Sequence, residues 1–461
     1  QSLDFLLKVR NHLHLKKSTD FDVIDYGFQS NAADFFKIKD DDFLTKENLF
    51  MKIFYGTTNR ISLLTDKIIE RTLEKKIFTS RRIQNLDDFY IIHRGKIRAI
   101  NPAFILEQPK NILKSFEHSA NHSKELSDEV VDEIKKIKSF KFSIEGKKIL
   151  FTSFLDLLKR GKNIYTVLRN LNDFDLINFF LPEFEKIKNL AVADPSHIYT
   201  VDIHSLYIVN EFERLLDGSY KDEFPLETKI ANGLKKREIF YLSALIHDIG
   251  KGYGNNHAKR GASMCKKICS RLVADKSFYE LIEFLVGEHL TMSSYSQKRD
   301  LDDPELIKEF KERIQTVERL DYLFILTFCD LRSVGPDVWS PWKGNLLSTL
   351  YKKTTQLISD TKKGGRAKSR PSSRNDKEKK IFNEINKNEF ERIAGKRHSS
   401  YFDNYSVEDI VYQVNLLPKN PELLSLGLKY SQKKEIDKLT IWSKDKEIGF
   451  QEICSALSSF N

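Results

Sequence analysis

The chain has 461 residues, 40% of them apolar and 31% charged, enough for two or three domains that each bury a core. No stretch approaches the ~18 consecutive apolar residues of a membrane span, so a membrane partner is not expected and the protein reads as soluble. The net charge of +10 does not point to nucleic acid either: residues 361–380 hold nine Lys or Arg against Asp376 and Glu378, a local +7 that leaves +3 for everything else, and a basic run confined to one stretch is usually a solvated segment.

Gln1 opens no basic region with an apolar core and cleavage site, so the sequence reads as an internal piece of a longer protein. FLLKVRNHLHL then places Phe5, Val9 and His12 at helical spacing, and LTKENLFMKIFYGTTNRISLL from Leu44 continues in that period. Within 89–100, Arg94 and Gly95 separate two β-prone runs, which predicts a single hairpin. Helix resumes over 109–120 and 127–139 and runs on to Ile187, with a break near Asp194 and Pro195. Over 200–351, closely spaced helices with stops at Gly218, at Gly250 through Gly254 and at Gly335 with Pro336 predict one compact α-domain. Residues 361–376 offer little to a core and read as a linker. Helix returns at Ile381, a strand is expected over 439–442, and a helix follows from Ile448. Four cysteines, Cys265, Cys269, Cys329 and Cys454, are too few for a disulfide framework and suit a reducing cytoplasm.

Two apolar helices carry polar groups that need partners. EIFYLSALIHDIGKGYG (238–254) delivers His247 and Asp248 into its last turn, and in RLDYLFILTFCDLRSVG the residues Leu320, Leu323, Phe324, Phe328 and Leu331 surround Asp330. An unpaired buried carboxylate or imidazole costs on the order of several kcal/mol, and adjacent His and Asp are natural ligands for a divalent cation. A third helix, YTVDIHSLYIVNEF, puts His204, Ile208, Glu211 and Leu215 on one side; His257 follows the glycine turn and His289 ends another helix in FLVGEHLTMS. Taken singly, a histidine is more often a hydrogen-bonded core or surface residue than a ligand, and it is the ordered set that changes the reading. Lys251, one turn beyond the His-Asp pair, reads either as a stabiliser of phosphate charge or as a solvated lysine at a helix end. Cys265 and Cys269, one turn apart, read as small buried groups rather than a metal or redox pair.

The order His204, His247-Asp248, Asp330 resembles the HD phosphohydrolase superfamily. FLPEFEKIKNL, HIYTVDIHSL, LSALIHDIGKGYGNNHAKRGA, VGEHLTMSSYSQKRDLDDPE and ERLDYLFILTFCDLRSVGPDVWSPWKGNLL resemble, from about 180 to 351, the family of bifunctional PII uridylyltransferase/uridylyl-removing enzymes. The resemblance implies that His204, His247, Asp248 and Asp330 bind one ion, that Asp248 bridges, and that His257 and His289 serve a second. Mixed N and O ligation favours Mn²⁺ or Fe²⁺, with Zn²⁺ or Mg²⁺ possible. Asp248 and Lys251 become the implied catalytic residues, and Lys251 and Arg332 the implied substrate contacts. Trp339 and Trp342 either line a nucleotide pocket or pack in the core. The implied reaction is hydrolysis of the bond joining UMP to a tyrosine of uridylylated PII, with UMP as product.

The resemblance also divides a mainly α chain into a helical region after a nucleotidyltransferase domain (1–195), an HD domain (196–360), a basic flexible linker (361–380), a helical segment (381–435) and the start of an incomplete ACT domain (436–461). The Gly-Ser motif and paired acids of the family's transferase are not among these residues, so UMP transfer is not expected of them, and glutamine is expected as an effector of the full-length enzyme only. Two alternatives stay open: an HD phosphohydrolase acting on free or cyclic nucleotides, and a non-catalytic PII-binding or structural module.

Overall fold

The computed structural model describes residues 1–17, 22–74, 83–107, 110–139, 143–192, 198–272, 275–298, 300–335, 338–362, 407–416, 425–431 and 436–442. The fold is mainly α. Two compact units divide the chain: residues 1–295 with 314–339, and residues 296–313 with 340–461.

The first unit opens on helices Ser2–Lys17, Tyr26–Phe35 and Lys46–Glu74, which share a core of Val9, Leu13, Phe28, Ala32, Ala33, Phe50 and Met51. Asp25 caps the second of these, its carboxylate accepting from Phe28 N at 2.8 Å. Strands Tyr90–His93 and Lys96–Ala99 pair antiparallel with His93 opposite Lys96. Arg94 and Gly95 between them have φ of 52° and 75°, the two positive angles of a type I′ turn. A short strand, Gln84–Asn85, pairs with the first, so the sheet has three strands where a lone hairpin was expected. The break near Asp194 and Pro195 lies outside the described residues.

Further along, helices Val201–Leu216, Arg237–Ile246, His257–Arg271, Lys276–Glu288 and Val317–Ser333 pack on one another. Arg237–Ile246 is buried from Glu238 through Ile246, and Val317–Ser333 is buried from Tyr322 through Cys329. Helices apolar on all sides belong at the centre of a domain, where each fully buried Leu, Ile or Phe contributes about 1.5–3 kcal/mol. Among the described residues no helix is long and apolar enough to cross a membrane.

In the second unit, helices Pro341–Lys362 and Val407–Asn415 accompany an antiparallel pair, Ser425–Ser431 with Ile436–Trp442. The strand expected at 439–442 is the end of the latter. Ser425–Ser431 corrects the helical reading of 381–435 at that point: SLGLKYS repeats bulky apolar residues at every second position, the period of a strand. A Cβ on Gly427 would stand 2.3 Å from Leu416 Cδ1, so the strand runs close against the end of the Val407–Asn415 helix. Residues 363–406 and the helix expected from Ile448 lie outside the described residues.

Candidate metal centre

The fold brings the ligand-type side chains to helix ends. His204 lies in the first turn of Val201–Leu216, and Asp330 near the end of Val317–Ser333. His247 directly follows Arg237–Ile246, and Asp248 precedes the 3-10 turn Ile249–Tyr253, so the pair sits at the junction just past the last α turn rather than within it. His257 opens His257–Arg271, and His289 directly follows Lys276–Glu288. Gly250 makes the junction possible: a Cβ there would stand 2.0 Å from the His257 carbonyl oxygen, so only glycine lets the 3-10 turn lie against that backbone.

Three imidazoles are oriented in the same way. Nδ1–H of His204 donates to Ser333 O (3.2 Å), that of His247 to Ala244 O (2.9 Å) and that of His289 to Val286 O (2.7 Å). Each bond fixes the ring and turns Nε2 inward, as outer-shell carbonyls do for metal-binding histidines. His204 Nε2 lies 2.9 Å and His247 Nε2 4.0 Å from Asp330 Oδ1. Asp248 stands between the rest, with Oδ2 3.2 Å from His247 Nε2 and Oδ1 3.4 Å from His257 Nε2 and 3.6 Å from His289 Nε2. The ligand atoms form two groups, His204, His247 and Asp248, and Asp248, His257 and His289, with all atoms of a group within 4.8 Å of one another. Asp330 borders the first group through His204.

This donor set fits a divalent cation. Among the described residues His247 Nε2, Asp248 Oδ1 and His257 Nε2 are buried yet make no hydrogen bond, a costly state that a cation would relieve. Protonation follows the same logic. Burial pushes His289 down to about 4 and lowers His257, which keeps both neutral with a lone pair to give. Burial opposes ionisation of Asp248 and Asp330, but His247 and Lys251 hold Asp248 well below the carboxylate range, and His204 does the same for Asp330. For His247 burial acts downward, and Asp248, Asp330 and the Ala244 carbonyl together outweigh it to raise the imidazole.

Lys251 Nζ lies 2.6 Å from Asp248 Oδ2 with its side chain 14% exposed, so it faces the site and is not a solvated helix end. Arg332 Nε donates to Glu211 Oε2 at 2.7 Å and Nη2 to Tyr220 OH at 2.9 Å, with the guanidinium over the rings of Phe224 and Tyr220. Tyr220 OH in turn donates to Glu211 at 2.8 Å. Glu211 and Tyr220 are the residues that sequence reasoning missed as a unit. Glu211 shares the His204 face, and that is the one signal it gave. Trp339 packs edge-on against Phe328 and Phe224, while Trp342 is an exposed residue of the second unit. Cys265 and Cys269 are buried; burial raises both thiols, Cys269 to about 12, and Cys265 Sγ donates to Gly261 O. Neither belongs to the ligand groups found among the described residues.

Residues 219–324 match the HD domain family, a range that holds His247, Asp248, His257 and His289 and leaves His204 and Asp330 on its flanks. The chain is similar to a bifunctional uridylyltransferase/uridylyl-removing enzyme of Ruegeria pomeroyi, 30% identical over 78% of this chain and 40% of that protein. It is similar to another of Pseudomonas aeruginosa (strain UCBPP-PA14), 28% identical over 91% of this chain and 48% of that protein. The chain thus spans less than half the length of these relatives. A solved complex of a CCA-adding enzyme with ATP aligns over 69% of this chain and 59% of its own at 12% identity, with a TM-score of 0.34, too loose to carry an argument.

Proposed function

From the premise that this chain carries an HD domain and is homologous over most of its length to bifunctional uridylyltransferase/uridylyl-removing enzymes, we propose that it performs the uridylyl-removing reaction. Its substrate is uridylylated PII, and the bond cleaved joins UMP to a tyrosine of that signalling protein, in the cytoplasm. The observation that carries the reading is the pair of three-residue groups sharing Asp248.

A divalent cation bound there, Mn²⁺ or Fe²⁺ before Zn²⁺ or Mg²⁺ given the mixed N and O donors, supplies Lewis acidity to a phosphoryl oxygen and makes water a nucleophile at neutral pH. His204, His247, Asp248 and Asp330 would hold one ion, and Asp248, His257 and His289 a second. The carbonyls of Ser333, Ala244 and Val286 fix the rings so that no reorientation is needed on binding. Lys251, held beside Asp248, places a fixed positive charge where the negative charge of the phosphate builds up. Glutamine enters the proposal as an effector of the full-length enzyme only.

Offering the purified chain uridylylated PII, free nucleotides and a cyclic dinucleotide in parallel with Mn²⁺ tests the substrate. UMP released from PII ahead of turnover of the small substrates supports the proposal. Hydrolysis of a free or cyclic nucleotide with PII left uridylylated shows that the substrate is wrong, and turnover of none favours a binding module.

A further inference from the structure

FLPEFEKIKNL, residues 180–190, supplies no side chain to the two ligand groups. It lies against the elements that do. Leu190 O accepts from Val201 N at 2.8 Å, and Asn189 N donates to Asp202 Oδ1 at 3.0 Å, which fixes the first turn of the His204 helix. A Cβ on Gly252 would stand 2.7 Å from Lys186 Cβ and 3.2 Å from its carbonyl carbon, so the turn carrying Lys251 rests directly on this segment. Glu183 accepts from both terminal nitrogens of Arg271, at 2.9 and 2.5 Å, at the far end of the helix that His257 opens. One short segment therefore touches three elements that carry ligand-type or catalytic side chains.

The Lys46–Glu74 helix holds that segment from another side. Lys52 Nζ donates to the carbonyl oxygens of Glu185 at 2.8 Å and Lys186 at 2.9 Å. Asn48 Nδ2 donates to Ala191 O at 3.2 Å, and Phe43, just before the helix, packs edge-on against Tyr253. An ammonium that gives charge-assisted bonds to two successive main-chain carbonyls fixes the path of that backbone.

We propose that Lys52 is a positioning residue for the metal centre: through residues 185–191 it sets the spacing between the His204 turn and the Asp248–Gly252 turn, so that a shift of the Lys46–Glu74 helix changes cation affinity and rate without touching a ligand. The inference rests on reading the site as a metal centre. Mn²⁺ alone, titrated into the whole chain, is the probe, with Lys52→Met, Lys52→Arg and Asn48→Ala compared to wild type alongside thermal melts and hydrolysis kinetics. Lys52→Met is expected to bind Mn²⁺ roughly tenfold more weakly, the range seen when an outer-shell partner is lost. Its kcat falls while KM for uridylylated PII stays close to wild type, Lys52→Arg restores both, and Asn48→Ala shows a smaller change in the same direction. Wild-type Mn²⁺ affinity in a folded Lys52→Met overturns the proposal, as does a loss that Lys52→Arg does not restore. If Lys52→Met fails to fold, Asn48→Ala decides, and unchanged Mn²⁺ affinity there overturns it. A wild type that binds Mn²⁺ but releases no UMP contradicts the functional proposal alone; one that binds no Mn²⁺ overturns both.

Discussion

Asp248 meets His247 through one carboxylate oxygen and His257 and His289 through the other, so a single substitution disturbs both candidate ligand groups. Asp248→Asn keeps the shape and removes the charge; bound metal and UMP release are both expected to be lost with the far-UV circular dichroism unchanged. Lys251→Ala separates differently: metal content is retained and kcat falls by about 10²-fold, the scale of one lost charge-stabilising donor, whereas an unchanged kcat would make Lys251 only the counterion of Asp248. Arg332, expected to contact substrate, is bonded to Glu211 and Tyr220. Removing one partner of a buried ion pair costs about 3 kcal/mol, so Arg332→Ala should lower Tm with KM unchanged; a raised KM at unchanged Tm would return it to the substrate. His204, His247, Asp248, His289 and Asp330 were legible as polar groups in or at the end of apolar helices, and His257 by its place after the glycine turn. The Arg332–Glu211–Tyr220 unit was not, since Arg332 and Glu211 stand 121 residues apart and neither has a sequence neighbour that names the other.

At the scale of elements, the turn between Asp248 and His257 is where local sequence rules act most strongly on the site. Gly250→Ala inserts a methyl 2.0 Å from the His257 carbonyl, which the backbone can relieve only by moving His257 away from Asp248. The expected result is a loss of more than about 1 kcal/mol in stability, with the Asp248, His257 and His289 group losing its ion first; calorimetry with metal stoichiometry checks both. Wild-type stoichiometry in this variant would mean that the turn does not set His257. The Arg94-Gly95 hairpin was readable because two positive-φ positions leave a chemical signature in the turn. Gln84–Asn85 was not, because a two-residue strand has no period to detect. Ser425–Ser431 carried the alternation, but its internal Gly427 and polar ends weakened the signal against the surrounding helical pattern.

At the scale of the whole molecule, the sequence gives the order of the ligand-bearing helices but not the compact units. Residues 296–313 group with 340–461 in one unit, and the N-terminal helices share the other unit with the candidate centre. Such a partition depends on long-range packing, for which a helical period carries no marker. The most direct measurement of the central claim is the release of UMP from uridylylated PII by the purified wild-type chain, followed by chromatography with Mn²⁺ and then with chelator, beside Asp248→Asn. The account predicts stoichiometric UMP with Mn²⁺, none with chelator and none from the variant; UMP release that persists in chelator, or in Asp248→Asn, would contradict it.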